Sequence, residues 1–471
     1  MSKIIIDPIS RISGLLEIEV DIENKMIIDA KSSGMQFRGF EKMFQGRPPL
    51  DMVRLTSRVC GICSTHHTVA SCKALEESLQ VTVNPNGELI RELASGFEFL
   101  QNHIRHIYQM VFPDYVDLGE INPLQKHIDS KAKDFRLPRD INNRIASHYM
   151  DSIKYSRDAH KALAVLAGKA PHNHGIFVGG TTTNMDIKKY QEVESILNNI
   201  KAFIENILID DMCIISKYYN DYFRIGKGYG NLMCSNLFYN NNMPVKYVKG
   251  GVIIDNKKEE FKIDNIVEEL KYTNLEAPND IILPGGNPPE IGTNKKDSYS
   301  WIIAPRFKNK PVEVGPLARM IIGGYYNNGI STMDRIIARV IECKIICECM
   351  LGILEVVRLQ RAFQEQYVVP PTGRGVGIVE ASRGILIHIL EIENSLVKNY
   401  NLITPSQWNL SPKDNNNING VVEKALIGTY IENEEVAPTI IGRIVRSFDP
   451  CSNCATHITS SNKSRISINI V

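Results

Sequence analysis

No run in this chain approaches the about eighteen consecutive apolar residues needed to span a bilayer, so no direct membrane span is expected. The start, Met1-Ser2-Lys3-Ile4-Ile5-Ile6-Asp7-Pro8, meets an acid too early for the apolar region of a signal peptide. The chain alone is therefore expected to carry neither export address nor anchor. An excess of charge of one sign is missing too: 54 Lys plus Arg against 53 Asp plus Glu leaves a formal +1, which offers no broad basic field to nucleic acid or anionic lipid. A small substrate or a protein partner fits better. The 10 cysteines are too few for a disulfide-built scaffold in 471 residues, and Cys72, Cys213, Cys234, Cys343, Cys347 and Cys349 show no pairing logic, which points to a reducing compartment. There is no internal repeat, low-complexity tract or clear linker, although Asn415-Asn416-Asn417 reads as a surface loop.

What is present is a pair of Cys-x-x-Cys strings at opposite ends, Cys60-Gly61-Ile62-Cys63 and Cys451-Ser452-Asn453-Cys454. A two-residue spacer lets both sulfurs of a pair turn toward one ion, and two converging pairs supply the four soft ligands favoured by zinc, iron or nickel. Either string alone reads equally well as half of a structural zinc knuckle. Zinc modules gather their pairs within a few tens of residues, so the long separation favours a site at the heart of a large fold.

Residues 3–31 alternate apolar and polar types around the turn-like Glu23-Asn24-Lys25, the period of a half-buried hairpin. From about Pro49 the pattern becomes helical, with Cys60 and Cys63 at a helix entrance. Helical periodicity recurs at roughly 88–111, 140–167, 186–223 and 333–366, with Thr183 or Asn184 as caps of the third; 246–275 returns to short strands. The expected fold is mainly α with peripheral β, an α+β domain with a large helical core.

The full strings, Arg58-Val59-Cys60-Gly61-Ile62-Cys63-Ser64-Thr65-His66-His67 and Asp449-Pro450-Cys451-Ser452-Asn453-Cys454-Ala455-Thr456-His457, resemble the signature motifs of the large subunit of nickel-iron hydrogenases. Asp7-Pro8-Ile9-Ser10-Arg11, Phe37-Arg38-Gly39-Phe40-Glu41, Val178-Gly179-Gly180, Glu313 to Arg319 and Pro405-Ser406-Gln407-Trp408-Asn409 also look like family blocks, so the resemblance runs almost end to end. It implies one large-subunit domain over 1–457, with 1–31 as an N-terminal β region and 246–275 as a β insertion. It further implies a buried bimetallic site in which Cys60 and Cys451 are terminal nickel ligands. Cys63 and Cys454 would bridge nickel to an iron carrying one carbon monoxide and two cyanides, Fe(CN)2CO. The related subunit of respiratory complex I lacks the four cysteines, so their presence argues for a metal-bearing member.

By the same resemblance Arg383 hangs over the metals with Asp449 in a polar canopy, His67 donates toward a cysteine sulfur, and Glu41 and His457 hold a magnesium ion with a main-chain carbonyl from around Leu402 or Ile403. Read without the family, Glu41 is a solvated acid beside Arg38 and Lys42, and His66 is ordinary. The implied activity is reversible heterolytic cleavage of dihydrogen, with the proton taken by a terminal thiolate such as Cys451 or by Arg383. Cys343, Cys347 and Cys349 fit a helix core rather than an electron relay, so a separate iron-sulfur small subunit is required.

Three positions depart from the family pattern. Ser13, in Arg11-Ile12-Ser13-Gly14-Leu15, stands where the family has a proton-carrying glutamate, leaving Glu17 as the nearest acid in sequence. Asn102 replaces a frequent aspartate, and Ser382 replaces the proline before Arg383. These mark a divergent respiratory or uptake-like branch. Residues 458–471 match the extension of an unprocessed precursor, removed by a maturation endopeptidase after nickel-insertion factors have acted. A dihydrogen sensor with slow turnover and a structural zinc protein are the alternatives. Residence is cytoplasmic, or periplasmic or membrane-associated if the chain is co-exported with a signal-bearing small subunit.

Overall fold

The computed structural model describes residues 2–121, 133–241, 243–293, 295–360, 362 and 366–452. At the front, period-2 alternation forms three antiparallel strands in the order β1 (Ser2–Ile6), β2 (Leu16–Glu23) and β3 (Met26–Gly34). Asn24 and Lys25 close the β2–β3 turn with φ of 50° and 62°, the left-handed pair that a two-residue hairpin loop demands. Leu16, Ile18, Val20 and Ile22 face the core, which leaves Glu17, Glu19 and Asp21 on the opposite face.

The helical core is built from α1 (Ser64–Leu79), α2 (Pro85–Arg105), α3 (Arg139–Ala167), α4 (Ile187–Phe203) and α5 (Thr332–Val356). Asn84 caps α2 by accepting from the Asn86 and Gly87 amides, with Pro85 at the first helical position. Every residue of α2 from Leu93 to Ile104 is buried. A helix buried all round must satisfy its polar side chains inside the protein, so Glu98, Asn102 and His103 find their partners at the heart of the molecule. Two expectations give way. The cap of α4 is Asp186, whose carboxylate accepts from the Lys189 amide, rather than Thr183 or Asn184; it stands directly before the first helical residue, where a cap works. And α5 ends at Val356, ten positions before 366, because the Asn86 side chain accepts the Arg358 N–H (2.8 Å) and donates to the Arg358 carbonyl (3.2 Å), drawing that residue out of the helix. Among the described residues no helix is long and apolar enough to cross a membrane.

Within 246–275, Gly251–Ile254 pairs with Lys257–Glu259 and, beyond the window, with Leu232–Cys234, while Ile266–Glu269 pairs with Ile281–Ile282 and Ala304–Phe307. A further antiparallel sheet, β4 (Thr372–Ala381), β5 (Gly384–Glu393) and β6 (Leu396–Ile403), lies against α1. The approach is close enough to need bare backbone: a Cβ on Gly377 would fall 1.8 Å from the Ala70 carbonyl oxygen, and one on Gly375 1.9 Å from that of Ala74. Backbone atoms of a packed helix cannot swing aside. Gly377→Ala is therefore expected to cost about 3 kcal/mol and to part β4 from α1, read as a lowered midpoint in calorimetry; an unchanged midpoint would contradict the packing.

The two chain ends are joined by one buried carboxylate. Asp114 receives Arg11 from the front (2.5 Å) and both arms of Arg446 (2.7 Å each) from α6 (Ala437–Ser447). Beyond α6 the chain enters Asp449-Pro450-Cys451, which pairs with Ser13: Ser13 N–H donates to the Pro450 carbonyl (3.1 Å) and Ser452 N–H to that of Ser13 (2.8 Å).

Candidate metal centre

Cys60 lies in the loop after the Thr56–Arg58 turn, and Cys63 is the residue from which α1 springs. Cys451 arrives on the short bridge to Ser13, its amide donating to Ser406 Oγ at 3.1 Å. Cys60 and Cys451 Sγ stand 3.5 Å apart although 391 positions separate them in sequence. The three thiols are 3 %, 6 % and 0 % exposed for Cys60, Cys63 and Cys451. The Ile62 amide donates to Cys60 Sγ (3.3 Å), a contact that favours thiolate over thiol. Cys454 and His457 lie outside the described residues. Among the described residues no group of three or more His, Cys, Asp or Glu side chains closes around a cation position.

Over the sulfurs sits Arg383, one of two residues in the β4–β5 turn. Its Nε donates to the Asp449 carbonyl and its Nη2 to Asp449 Oδ1, both at 2.9 Å. Nη1, also buried, has no hydrogen-bond partner among the described residues. Burial works against the guanidinium charge, but Asp449 and the thiols Cys451, Cys63 and Cys60 hold its pKa well above the ordinary value. Asp449 is itself wholly enclosed, with Asn102 Nδ2 (2.8 Å) and Arg339 Nη1 (3.1 Å) donating to Oδ2. Burial would raise its carboxyl; Arg383, His106, Arg339 and Asn102 together hold it far below the usual carboxylate range.

A buried charge ladder runs away from this canopy. Arg339 donates to His103 Nδ1 (2.9 Å), His103 Nε2 meets Glu342 (2.8 Å), and Arg319 clamps Glu342 with Nε (2.6 Å) and Nη2 (2.7 Å) while reaching Glu380 with Nη1 (2.6 Å). Burial pushes His103 down to about 4, with Arg339 adding to the shift. A second file leads from His67, whose Nδ1 is 3.0 Å from His388 Nε2, and on from His388 Nδ1 to the Tyr400 hydroxyl (2.9 Å). Burial lowers His67 to about 4, against the pull of Cys60.

Glu41 accepts the Leu402 amide at 2.7 Å; burial lifts it to about 7 while that hydrogen bond opposes the rise. A carboxylate the sequence reading missed, Glu268, is buried nearby, and burial together with Glu41 raises it well above the usual range. Ser13 touches Cys451 only through backbone, and its Oγ is buried without a partner among the described residues. Glu17 stands on the outer face of β2, where burial and its neighbours Asp7 and Glu19 raise its carboxyl, and no contact joins it to Cys451. Glu98, His103, His106, Arg339, Glu342, His388, Tyr400 and Glu268 are among the polar residues that sequence reading did not single out. Their only signal was a polar side chain inside an apolar helical or strand period.

Two thiol-bearing chain ends meeting in a helical core, under an arginine and an aspartate that no solvent reaches, define a buried thiolate metal-centre protein. The model of the nickel-dependent hydrogenase family matches residues 38–131, 119–330 and 325–457, and the chain belongs to that family. It is therefore an oxidoreductase acting on dihydrogen, a catalytic large chain rather than a zinc module. It is similar to the periplasmic [NiFeSe] hydrogenase large subunit of Desulfomicrobium baculatum, 32% identical over 97% of this chain and 95% of that one. It is likewise similar to the hydrogenase-2 large chain of Escherichia coli K12, 28% identical over 98% of both. The Ni-Fe-Se hydrogenase of Desulfovibrio vulgaris Hildenborough, in its as-isolated oxidized state, superposes with a TM-score of 0.92 at 30% identity, covering 97% of this chain and 100% of that one.

Proposed function

We propose that Cys60, Cys63, Cys451 and Cys454 would hold a nickel-iron centre, Cys60 and Cys451 toward nickel and Cys63 and Cys454 shared with an iron that would carry two cyanides and one carbon monoxide. The observation that carries this reading is the 3.5 Å approach of Cys60 and Cys451 Sγ beneath an arginine with one unpartnered buried nitrogen. The donor set fits: soft thiolates, closed from water, under a cation that balances their charge. When bound, the centre supplies heterolytic cleavage of dihydrogen. Arg383 then acts as a donor, its Nε and Nη2 committed to Asp449 and its Nη1 left for the site. The proton goes instead to the Cys60–Cys451 sulfur pair, at Cys451 Sγ or its neighbour. Asp449 fixes the direction of Arg383, and His67 orients the loop through its file to Tyr400.

Glu41 and His457, with a main-chain carbonyl from Leu402 or Ile403, would hold a magnesium ion, which would pin the tail beside the cluster. Electrons leave to an iron-sulfur small subunit. Residues 458–471 are removed by a maturation endopeptidase once nickel-insertion factors have loaded the site.

Elemental analysis of this chain, purified from its native host and separated from any iron-sulfur partner, tests the reading. One nickel and one iron per chain are expected, with an intact mass ending at His457. Zinc alone would overturn it.

A further inference from the structure

The resemblance leaves a gap: where it implies a proton-carrying glutamate the chain has Ser13, whose hydroxyl cannot hold a charge near neutrality. One buried acid-base pair beside the thiols is unused by anything described so far. Glu98 of α2 reaches into the first turn of α1, where it accepts the Thr65 amide (2.8 Å) and the His66 amide (3.1 Å), and its Oε2 is bonded to His66 Nδ1. Both side chains are almost fully enclosed, 1 % exposed each. The α1 start that Glu98 caps is Cys63 itself, so the pair lies within one helical turn of the cluster.

The contact fixes the ring. A carboxylate accepting from two amides and from Nδ1–H leaves His66 with Nε2 as its basic nitrogen, and Nε2 is buried with no hydrogen-bond partner among the described residues. An unpartnered basic nitrogen held by a carboxylate on the far side of its ring is the arrangement that lets histidine take up a proton and be stabilised as imidazolium. Charged or titratable groups that face the pair are His67 on α1, Glu92 on α2 and the half-buried His160 on α3, while Arg38 acts on His67. His160 is partly exposed and within electrostatic reach of Glu98.

We propose that His66, oriented by Glu98, is the proton acceptor that replaces the missing acid at position 13. The proton leaves the Cys60–Cys451 sulfur pair, crosses bound water to His66 Nε2 and regenerates the thiolate. Imidazolium then releases it from the same nitrogen to water on the His160 side, so that Glu98 stays an anion throughout and no electron moves in this step. The inference rests on the nickel-iron reading above.

The test uses the loaded heterodimer and the variants Glu98→Gln, His66→Gln and the double variant Glu98→Gln/Ser13→Glu. Glu98→Gln and His66→Gln are each expected to lower kcat about a hundredfold with unchanged nickel and iron content and unchanged KM for dihydrogen. The solvent deuterium effect on kcat should rise in both. The double variant should recover most of the loss, which a merely structural fault at Glu98 would not allow. A readout other than turnover is the infrared difference spectrum between dihydrogen-reduced and oxidised protein. It should contain an imidazolium band that vanishes in His66→Gln and shifts in Glu98→Gln. Full turnover in both single variants, or losses that track missing metal, would overturn the proposal. A wild-type heterodimer without nickel would instead overturn the reading of the site itself, and the relay with it.

Discussion

Arg383→Lys is expected to lower dihydrogen turnover about a hundredfold while nickel and iron stay in place, measured as kcat with an artificial electron acceptor beside elemental analysis. The charge is conserved in this change, so the effect isolates geometry. Arg383 spends Nε and Nη2 on Asp449 and keeps Nη1 for whatever the sulfurs hold, three directions from one rigid plane. An ammonium is a point charge on a flexible stem and cannot clamp the carboxylate while presenting a fixed donor elsewhere. The field of the cation survives, which is why the thiolates should keep their metals. Turnover within twofold of wild type would mean that charge alone matters. Loss of nickel would recast Arg383 as a ligand-holding residue.

Arg383 and Asp449 entered through the family resemblance, and the fold brings them within 2.9 Å of each other. The β2–β3 hairpin was legible in the sequence itself: period-2 alternation and the Asn24-Lys25 turn are both local. What failed to show was long-range. Position 98 on a helix reads as a solvated acid until α2 is known to be buried on every side. The end of α5 depends on Asn86, more than 250 positions away in sequence, and no propensity at Val356 or Val357 announces it. Glu17 was nearest to Ser13 along the chain, yet the pleat that buries its neighbours Leu16 and Ile18 turns it outward. Glu268 met Glu41 only through a sheet assembled from residues on both sides of position 275. Asn102 was counted as a loss of charge; in the fold its amide donates to Asp449, which an aspartate there could not do while ionised.

Asp449→Asn should be the most damaging single change in the canopy. The carboxylate is fully buried and lies against Arg383 (2.9 Å) and Arg339 (3.1 Å), with His106 at 3.9 Å. Removing this anion deprives two buried guanidinium groups of the carboxylate they share, a loss of about 3–5 kcal/mol by analogy with other broken buried pairs. An amide also carries donors, and one turned toward Asn102 Nδ2 or Arg339 Nη1 would repel them. The sign of the pH dependence follows from the depressed native carboxyl: its stabilisation is complete above the unfolded aspartate value of about 3.9 and fades only as pH falls below it. The variant should therefore be equally destabilised at pH 6 and at pH 8, by thermal or urea unfolding, and the gap to wild type should narrow only in acid. A gap that closed on the alkaline side would show that Asp449 is not the anion on which Arg383 and Arg339 depend. Turnover should fall further than for Arg383→Lys, because Arg383 loses its anchor and Cys451, two residues on, loses the turn that carries it to Cys60.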